Sequence, residues 1–551
     1  MSMWRPDHRH WRGSLGAWGR LDGLMSSRAD MPAGDGAVAS GEEFSLPSQE
    51  RSHRPAEVGK AVTGVGEDGS GEESLAGATY DARATTGPRA QGPVSYVREG
   101  ARDVVISDSA DVVVVGGGPA GTAAAVSAGR VGVSVILVER YNHLGGLATG
   151  GLVLWIDRMT DWAGELVIAG FAKDVLGRLP PGAVFGPSPA LWGSTEKAAN
   201  SYWAQRANSF RGVVTWSPLV DPEWLKYVSL EMVVEAGALV YLHTWGATPI
   251  VDGNHLRGVI LESKEGRHAI LGKVVIDATG DGDIYARAGA EFHSDIDPAT
   301  IHHCMNVAWI WGGVDMEEWW RFRAVDPEGY DAFIAKGAEI LGTIQRPHAS
   351  WRKDVALFMG PRLAGYSALD VTDLSAVELE SRRRLVAHLS YFREHAPGFG
   401  DAWILLSAPQ IGVRHARRLV GVETVNKVRW RDPAPYEDEI AVSPSLSPGL
   451  PNVSIPLGAL VPRTLDNLLA PGRHLSCDAQ THTLLREIPQ CWATGQAAGV
   501  AAGIAVKGGV PIQAVDVADV QAALTQQGAH VRTGGGKVRE KGDEVAAPPA
   551  S

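Results

Sequence analysis

Gly116, Gly118 and Gly121 form GxGxxG within DVVVVGGGPAGTAAA, Asp111 to Ala125, and an acid, Glu139, follows eighteen residues after the last glycine. Residues of these types at this spacing suit the binding of a nucleoside diphosphate. Gly116 permits a tight turn, and Gly118 lets a pyrophosphate approach bare backbone at a helix N-terminus. Gly121 lets helix and strand pack closely. A carboxylate at Glu139 accepts hydrogen bonds from a ribose and repels a 2′-phosphate.

Such residues work only if particular elements carry them. ADVVVVGG is a short, β-branched, continuously apolar run, as expected for a strand buried on both faces. PAGTAAAVSAGRVG suits a helix and VSVILVE a second buried strand, giving a strand–helix–strand unit. In DPEWLKYVSLEMVVEAG, Asp221 takes the N-cap position, Pro222 the first turn and Gly237 the end, predicting a further helix. ALVYLHTW follows as a strand. The segment from Ala247 to Asp283 alternates and breaks at Asp252-Gly253 and Glu265-Gly266, which predicts an antiparallel meander ending in the apolar strand Lys273 to Asp281.

RYNHLGGLATGG, Arg140 to Gly151, adds a second glycine-rich loop directly after the acid. Its small residues leave room for a flat ring and a ribityl chain. With DVVVVGGGPAG, LGGLATGG, VVIDATGDGD, PQIGVRHARRLVG, LVPRTLDNLLAPGRHLS and REIPQCWATGQAAGVAA in this order, the chain resembles the FAD-dependent oxidoreductases of the glutathione-reductase-like, two-dinucleotide-binding type. More distantly it resembles the fumarate reductase and succinate dehydrogenase flavoproteins and the heterodisulfide-reductase-like flavoproteins. The resemblance implies an α/β fold: a Rossmann-like FAD-binding domain, parallel sheet plus antiparallel β-meander, with an inserted α+β substrate or cap domain. It implies FAD as cofactor. Gly116, Gly118 and Gly121, with Pro119 and Ala120 between them, would hold the pyrophosphate. Glu139, with Arg140 beside it, would hold the ribose, and Gly145, Gly146, Ala148 and Thr149 would line the flavin. Thr279, Gly280 and Asp281 would end a strand beside the cofactor. Gly472 and Arg473 would sit near the ribityl or ring region, and Gly495, Gln496 and Ala497 on a closing helix whose N-terminus favours a reduced, anionic ring.

A bound flavin would carry the hydride, and the protein would hold a substrate and supply a proton donor or acceptor. His482 and Arg486, just before the closing helix, are the leading catalytic candidates, followed by His302 and His303; a structural role is the plainer reading for each histidine. Arg414, Arg417 and Arg418 suit a carboxylate clamp or ion pairs with the core. IPLGALVP, Ile455 to Pro462, departs from the IPYRSLVP frequent among the resembled proteins, so no relative's substrate transfers. No CxxC occurs, which excludes an adjacent dithiol, and Tyr285 occupies the third glycine position of GDGDIYARAG, which argues against a second nucleotide domain. Three isolated cysteines, Cys304, Cys477 and Cys491, furnish neither a disulfide framework nor a 4Fe–4S cluster, and no metal site is expected.

Bulk properties bound the rest. The chain has 551 residues, 44% hydrophobic and 21% charged, with a formal net charge of −12. That balance gives no general basic surface for nucleic acid. No apolar run is long enough for a bilayer and the N-terminus lacks an apolar signal core, so a cytoplasmic location without membrane partners is expected. Residues 1–98 and 534–551 read as disordered tails. Between them, 99–151, 220–292 and 451–510 read as three parts of the FAD-binding domain. Residues 152–219 and 293–450 read as cap, and 511–533 as a C-terminal helix. The two cap segments hold twelve of the 18 tryptophans, suiting an aromatic pocket or, for most of them, the cap's own core. The expected function is hydride transfer between a small, apolar or carboxylate-bearing substrate and flavin N5. The alternatives are an electron-transfer subunit serving a redox partner and a non-catalytic FAD-binding module.

Overall fold

A computed structural model describes residues 97–294 and 303–532. His302, the 534–551 tail and nearly all of the 1–98 leader lie outside the described residues.

The valine run forms the C-terminal end of strand β1, Val105–Val115. Its alternate residues serve two cores. Val112 and Val114 join one, Val113 and Val115 the other, so both faces of the strand are covered and an unbroken apolar run is required. Helix α1, Pro119–Val131, follows and ends at Gly132, whose positive φ of 89° terminates it. Strand β2, Val135–Val138, pairs parallel to β1. Helix α2, Pro222–Glu235, starts as the sequence requires: the Asp221 carboxylate accepts from Glu223 N at 2.9 Å and Trp224 N at 3.3 Å. It leads into β3, Leu239–Tyr241, parallel to β2.

The meander is present as β4, Trp245–Asp252, β5, His255–Ser263, and β6, Gly266–Asp277. One feature differs from expectation. The third meander arm and the apolar strand after it are a single twelve-residue strand. The first half of β6 pairs antiparallel with β5, while β6 as a whole runs parallel to β1 on its other side. The seven-stranded sheet thus has the order β3-β2-β1-β6-β5-β4, and a late two-residue strand, Leu468–Leu469, pairs parallel with the end of β6.

Within residues 293–450, expected as the second part of a cap, a separate aromatic core forms on a three-stranded antiparallel sheet. Its central strand, β7, Trp309–Gly312, pairs with β8, Val355–Phe358, and β9, Trp403–Ser407. Trp309, Trp311 and Trp319 are fully buried among Phe333, Phe358, Phe392 and Phe399, with the Trp311 and Phe358 rings 4.3 Å apart. These tryptophans stabilise the cap from within. Helix α3, Val371–His395, lies along this core and carries the fully buried His388. Its Nδ1 donates to Arg384 O at 2.7 Å and its Nε2 accepts from Gln345 N at 3.0 Å, which only the neutral ring can do.

The closing helix, α4, Ile488–Gly508, is buried along nearly its whole length. Its glycines meet α1. A Cβ on Gly495 would stand 2.1 Å from Ala120 O, and one on Gly499 2.2 Å from Ala124 O. Spaced four apart, they form one ridge on which the two helices touch backbone to backbone. A last helix, α5, Val517–Gln526, packs against α4. Among the described residues no helix is long and apolar enough to cross a membrane.

Burial pushes the pKa of His388 down to about 4. The unfolded ring takes a proton near 6.5, so its contribution is complete above that pH and is lost as pH falls towards 4. Stability to urea is expected to fall by on the order of 3 kcal/mol through this group between pH 7 and 4. His388→Gln starts less stable and loses less over that interval; an identical pH slope in the variant would refute the assignment.

Candidate active site

β1 and β6 end side by side, and the chain leaves each on glycine. Gly116, with φ at 102°, passes so close to β6 that a Cβ would lie 2.4 Å from Ala278 O. A Cβ on Gly121 would lie 1.7 Å from Gly116 O. Both positions are fixed by packing. Gly118, the N-cap of α1, differs: a Cβ there would meet nothing nearer than Gly146 Cα at 4.0 Å. The protein leaves that space clear at a helix N-terminus, which suits a diphosphate.

A cleft of about 870 Å³, measured to its open mouth, extends from this point. Gly116, Gly118, Pro119, Ala120, Glu139, Arg140, Gly146, Thr279, Gly280, Arg473 and Arg486 all line it. Residues far apart among those described therefore share one cavity.

The buried Glu139 does more than face the cleft. Its carboxylate accepts from Gly117 N at 2.6 Å and Tyr141 N at 2.8 Å, tying the glycine turn to the end of β2. Burial pushes its pKa up against the pull of those two amides. The Arg140 guanidinium lies 5.0 Å from the ring centres of both Tyr141 and Trp245 at the cleft wall.

The second glycine loop packs on the first. Gly145 N donates to Gly117 O at 2.9 Å, and a Cβ on Gly146 would lie 2.8 Å from Gly118 Cα. Ala148 and Thr149 are buried behind this loop, where Thr149 Oγ1 donates to Leu144 O at 2.7 Å. They support the wall and do not line the cleft.

Past β6, Asp277 organises the opposite wall by accepting from Thr279 Oγ1 at 2.7 Å and from Ile284 N and Tyr285 N at 2.9 Å each. Arg473 reaches across from the far end of the chain. Its Nε donates to Gly280 O at 2.8 Å, its Nη2 to Asp281 Oδ1 at 2.6 Å, and its Nη1 to Val413 O. Gly472 beside it presses on Ala120, and its N–H donates to Thr494 Oγ1 at 3.1 Å. Arg417 is bound to Asp281 O at 2.9 Å and Asp283 Oδ1 at 3.2 Å, an internal role in place of a substrate clamp.

Several expected site residues stand elsewhere. Gly495 contacts α1, Gln496 accepts from Phe171 N at 3.0 Å, and Ala497 is fully buried, so none of the three lines the cleft. The small face of α4 is used for helix contact. His482 also lies behind the wall. Its Nε2 donates to Arg473 O at 3.0 Å, and burial with nearby arginines holds its pKa well below 6.5, so the ring is neutral. His303 is buried and stacks on His415, centroids 4.5 Å apart, and His415 meets His482 edge-on at 5.0 Å. Of the catalytic candidates described, only Arg486 lines the cleft.

The sequence reading passed over Trp245, Gln410 and Cys491, which also line it. Gln410 lies in PQIGVRHARRLVG, a motif that had drawn attention to its arginines only. Burial pushes the Cys491 thiol up to about 12, so it stays protonated.

Fold and cleft together define an FAD-binding enzyme of the α/β class. The chain belongs to the FAD dependent oxidoreductase family, whose model matches residues 111–445 and 446–524. Digeranylgeranylglycerophospholipid reductase 2 of Methanopyrus kandleri is 29% identical over 241 residues, 41% of this chain and 52% of that protein. FAD-dependent oxidoreductase dbaF of Emericella nidulans is 27% identical over 220 residues, 34% of this chain and 45% of that protein. The chain thus spans about half the length of the curated relatives it matches. Among solved structures, the flavin-dependent brominase Bmp2 aligns over 76% of this chain and 84% of its own at 15% identity, with a TM-score of 0.41.

The contrast between the glycines yields a test. Gly118→Ala is expected to fold normally and lose at least about tenfold in FAD affinity, because its methyl enters space the protein leaves free. Gly121→Ala is expected to fail to fold stably. Flavin fluorescence and thermal unfolding separate the two; a Gly118→Ala protein that keeps wild-type FAD affinity would show that the diphosphate lies elsewhere.

Proposed function

We propose that the cleft holds FAD in the glutathione-reductase-like arrangement and that the enzyme moves a hydride between a small organic substrate and the flavin. The observation that carries this reading is the single cavity shared by Gly118, Glu139, Thr279, Arg473 and Arg486. Gly118 and the start of α1 would hold the diphosphate, Glu139 and Arg140 the adenosine side, and Arg473 the middle. Arg486, Ile488 and Cys491 bring the start of α4 to the ring end. FAD supplies hydride acceptance or donation at N5 when bound. Arg486 and the N-terminus of α4 place positive potential at that end, which favours a reduced flavin. His482 acts one layer back: by binding Arg473 O it fixes the arginine that spans the two walls. The substrate enters from the cap side, and the activity belongs to the cytoplasm.

Purified protein is expected to be yellow and, without oxygen and without any partner protein, to be bleached by an alcohol, amine or reduced nicotinamide donor or, once reduced, to be reoxidised by a carbonyl or enoate acceptor. Flavin that bleaches only with a second protein present would instead make the chain an electron-transfer subunit; flavin that resists every donor would make it a binding module. Arg486→Met is expected to lower the flavin midpoint potential, by dye equilibration, by about 30 mV, equal to about 1.4 kcal/mol for two electrons. An unchanged potential would remove Arg486 from the ring end.

A further inference from the structure

Strand β9, Trp403–Ser407, is the edge of its sheet: among the described residues it pairs with β7 on one side and with no strand on the other. Natural edge strands are commonly blunted by charge or proline, because their open N–H and C=O groups template pairing with another chain. This strand reads Trp-Ile-Leu-Leu-Ser and carries neither. Its one irregularity is a register shift against β7 at Leu405. Beside it lies a groove of about 890 Å³, measured to its open mouth, between β9 and the start of α2. Leu405, Leu406, Ile310, Trp351, Pro222 and Trp224 give the groove apolar walls. Tyr227 extends the patch, its ring centre 6.1 Å from that of Trp224. Trp403, Ile404, Leu405, Trp224 and Tyr227 are each between 39% and 54% exposed. Five such side chains present on the order of 500 Å² of apolar surface, a size that on a monomer marks an interaction site.

We propose that this face binds a second copy of the chain about a two-fold axis at β9. The area suits a copy: each partner in a standard interface buries about 800 Å², and the five exposed side chains supply more than half of that before Trp351, Leu406 and the polar rim are added. The strand is self-complementary. An axis passing between Ile404 and Leu405 pairs β9 antiparallel with its copy and sets Trp403 of one protomer opposite the partner's Leu406, a wall of the partner's groove. The half-exposed indole of each protomer thus enters the groove of the other, and both edges are closed at once. The electrostatics allow the approach. The two acids that line the groove are already engaged, Asp221 by the amides of Glu223 and Trp224 and Glu223 by Lys226 Nζ at 2.7 Å. Two such faces therefore meet without unpaired carboxylates opposing each other, although the chain as a whole carries −12.

Sedimentation equilibrium of the full-length protein tests this. The expected mass is twice the chain mass of 58.5 kDa, with a Kd of about 1 μM or tighter. Leu405→Asp sets a carboxylate from each copy beside the axis. It is expected to weaken association at least about 100-fold, with far-UV circular dichroism unchanged. Trp224→Ala, on the opposite wall of the groove, is expected to weaken it at least about tenfold. If Leu405→Asp does not fold, Trp224→Ala decides. A wild-type monomer at about 50 μM, or a dimer that both folded variants leave intact, would overturn the proposal. Weakening by Leu405→Asp but not by Trp224→Ala would keep the axis at β9 and overturn the part given to the groove. A monomer whose tryptophan emission shifts to the blue on phosphatidylcholine vesicles would give the face to a lipid surface, which also overturns it.

Discussion

Backbone crowding at one point governs this molecule. The end of β1, the end of β6, the start of α1, the second glycine loop and the face of α4 approach one another with no room for side chains. Hypothetical Cβ atoms at Gly116, Gly121, Gly146 and Gly495 would lie 2.4, 1.7, 2.8 and 2.1 Å from neighbouring atoms, nearly all of them backbone. These distances are shorter than any non-bonded carbon contact, so glycine at those four places is a packing requirement whatever is bound. The cofactor benefits indirectly. Because the backbones are this close, the first turn of α1 opens towards a space walled by main chain, and Gly118 is the one glycine of the motif whose missing side chain leaves that space clear.

Excluding side chains from that point moves the polar work to residues that reach in from its edges. Glu139 holds Gly117 N, Asp277 holds the turn after β6, and Arg473 joins that turn to Val413 and to its own segment. These bonds lie in a buried region where hydrogen bonds to ionised groups are strengthened and unpaired ones are costly. The same logic assigns His482 its place. A neutral ring donating to Arg473 O secures a cation that touches both walls, and a charged ring beside Arg473, Arg486 and Arg418 would repel all three.

What could be read from the sequence divides along the same line. The strand–helix–strand unit, the Asp221 cap and the hairpin turns were legible because each is a local device, written in a few adjacent residues. Gly116, Gly118 and Gly121 were legible as a motif with separate tasks, and the structure adds what the sequence could not name, the neighbour at the end of β6, Ala278, that crowds Gly116. The Arg473–Asp281 pair joins residues 192 apart, and no periodicity announces it. Gly495 was placed on the closing helix from the sequence, but the element it presses on, α1 at Ala120, with Gly499 against Ala124, depends on tertiary packing that no local pattern names.

Under the proposed function, substrate contacts are to be sought where separate segments meet at the cleft. Trp309, Trp311 and Trp319 are buried in a core of their own and have no surface left for a ligand. The histidines nearest the cleft are stacked in a column behind its wall. What faces the far end of the cavity is contributed in single residues by separate segments, Leu147 by the second glycine loop, Gln410 by the strand-to-loop passage after β9, and Arg486, Ile488 and Cys491 by the start of α4. With FAD in the cleft as proposed, a single exchange among those five residues is expected to alter what the flavin meets while leaving the buried cores intact, because they come from separate turns and a helix start and none anchors a core alone.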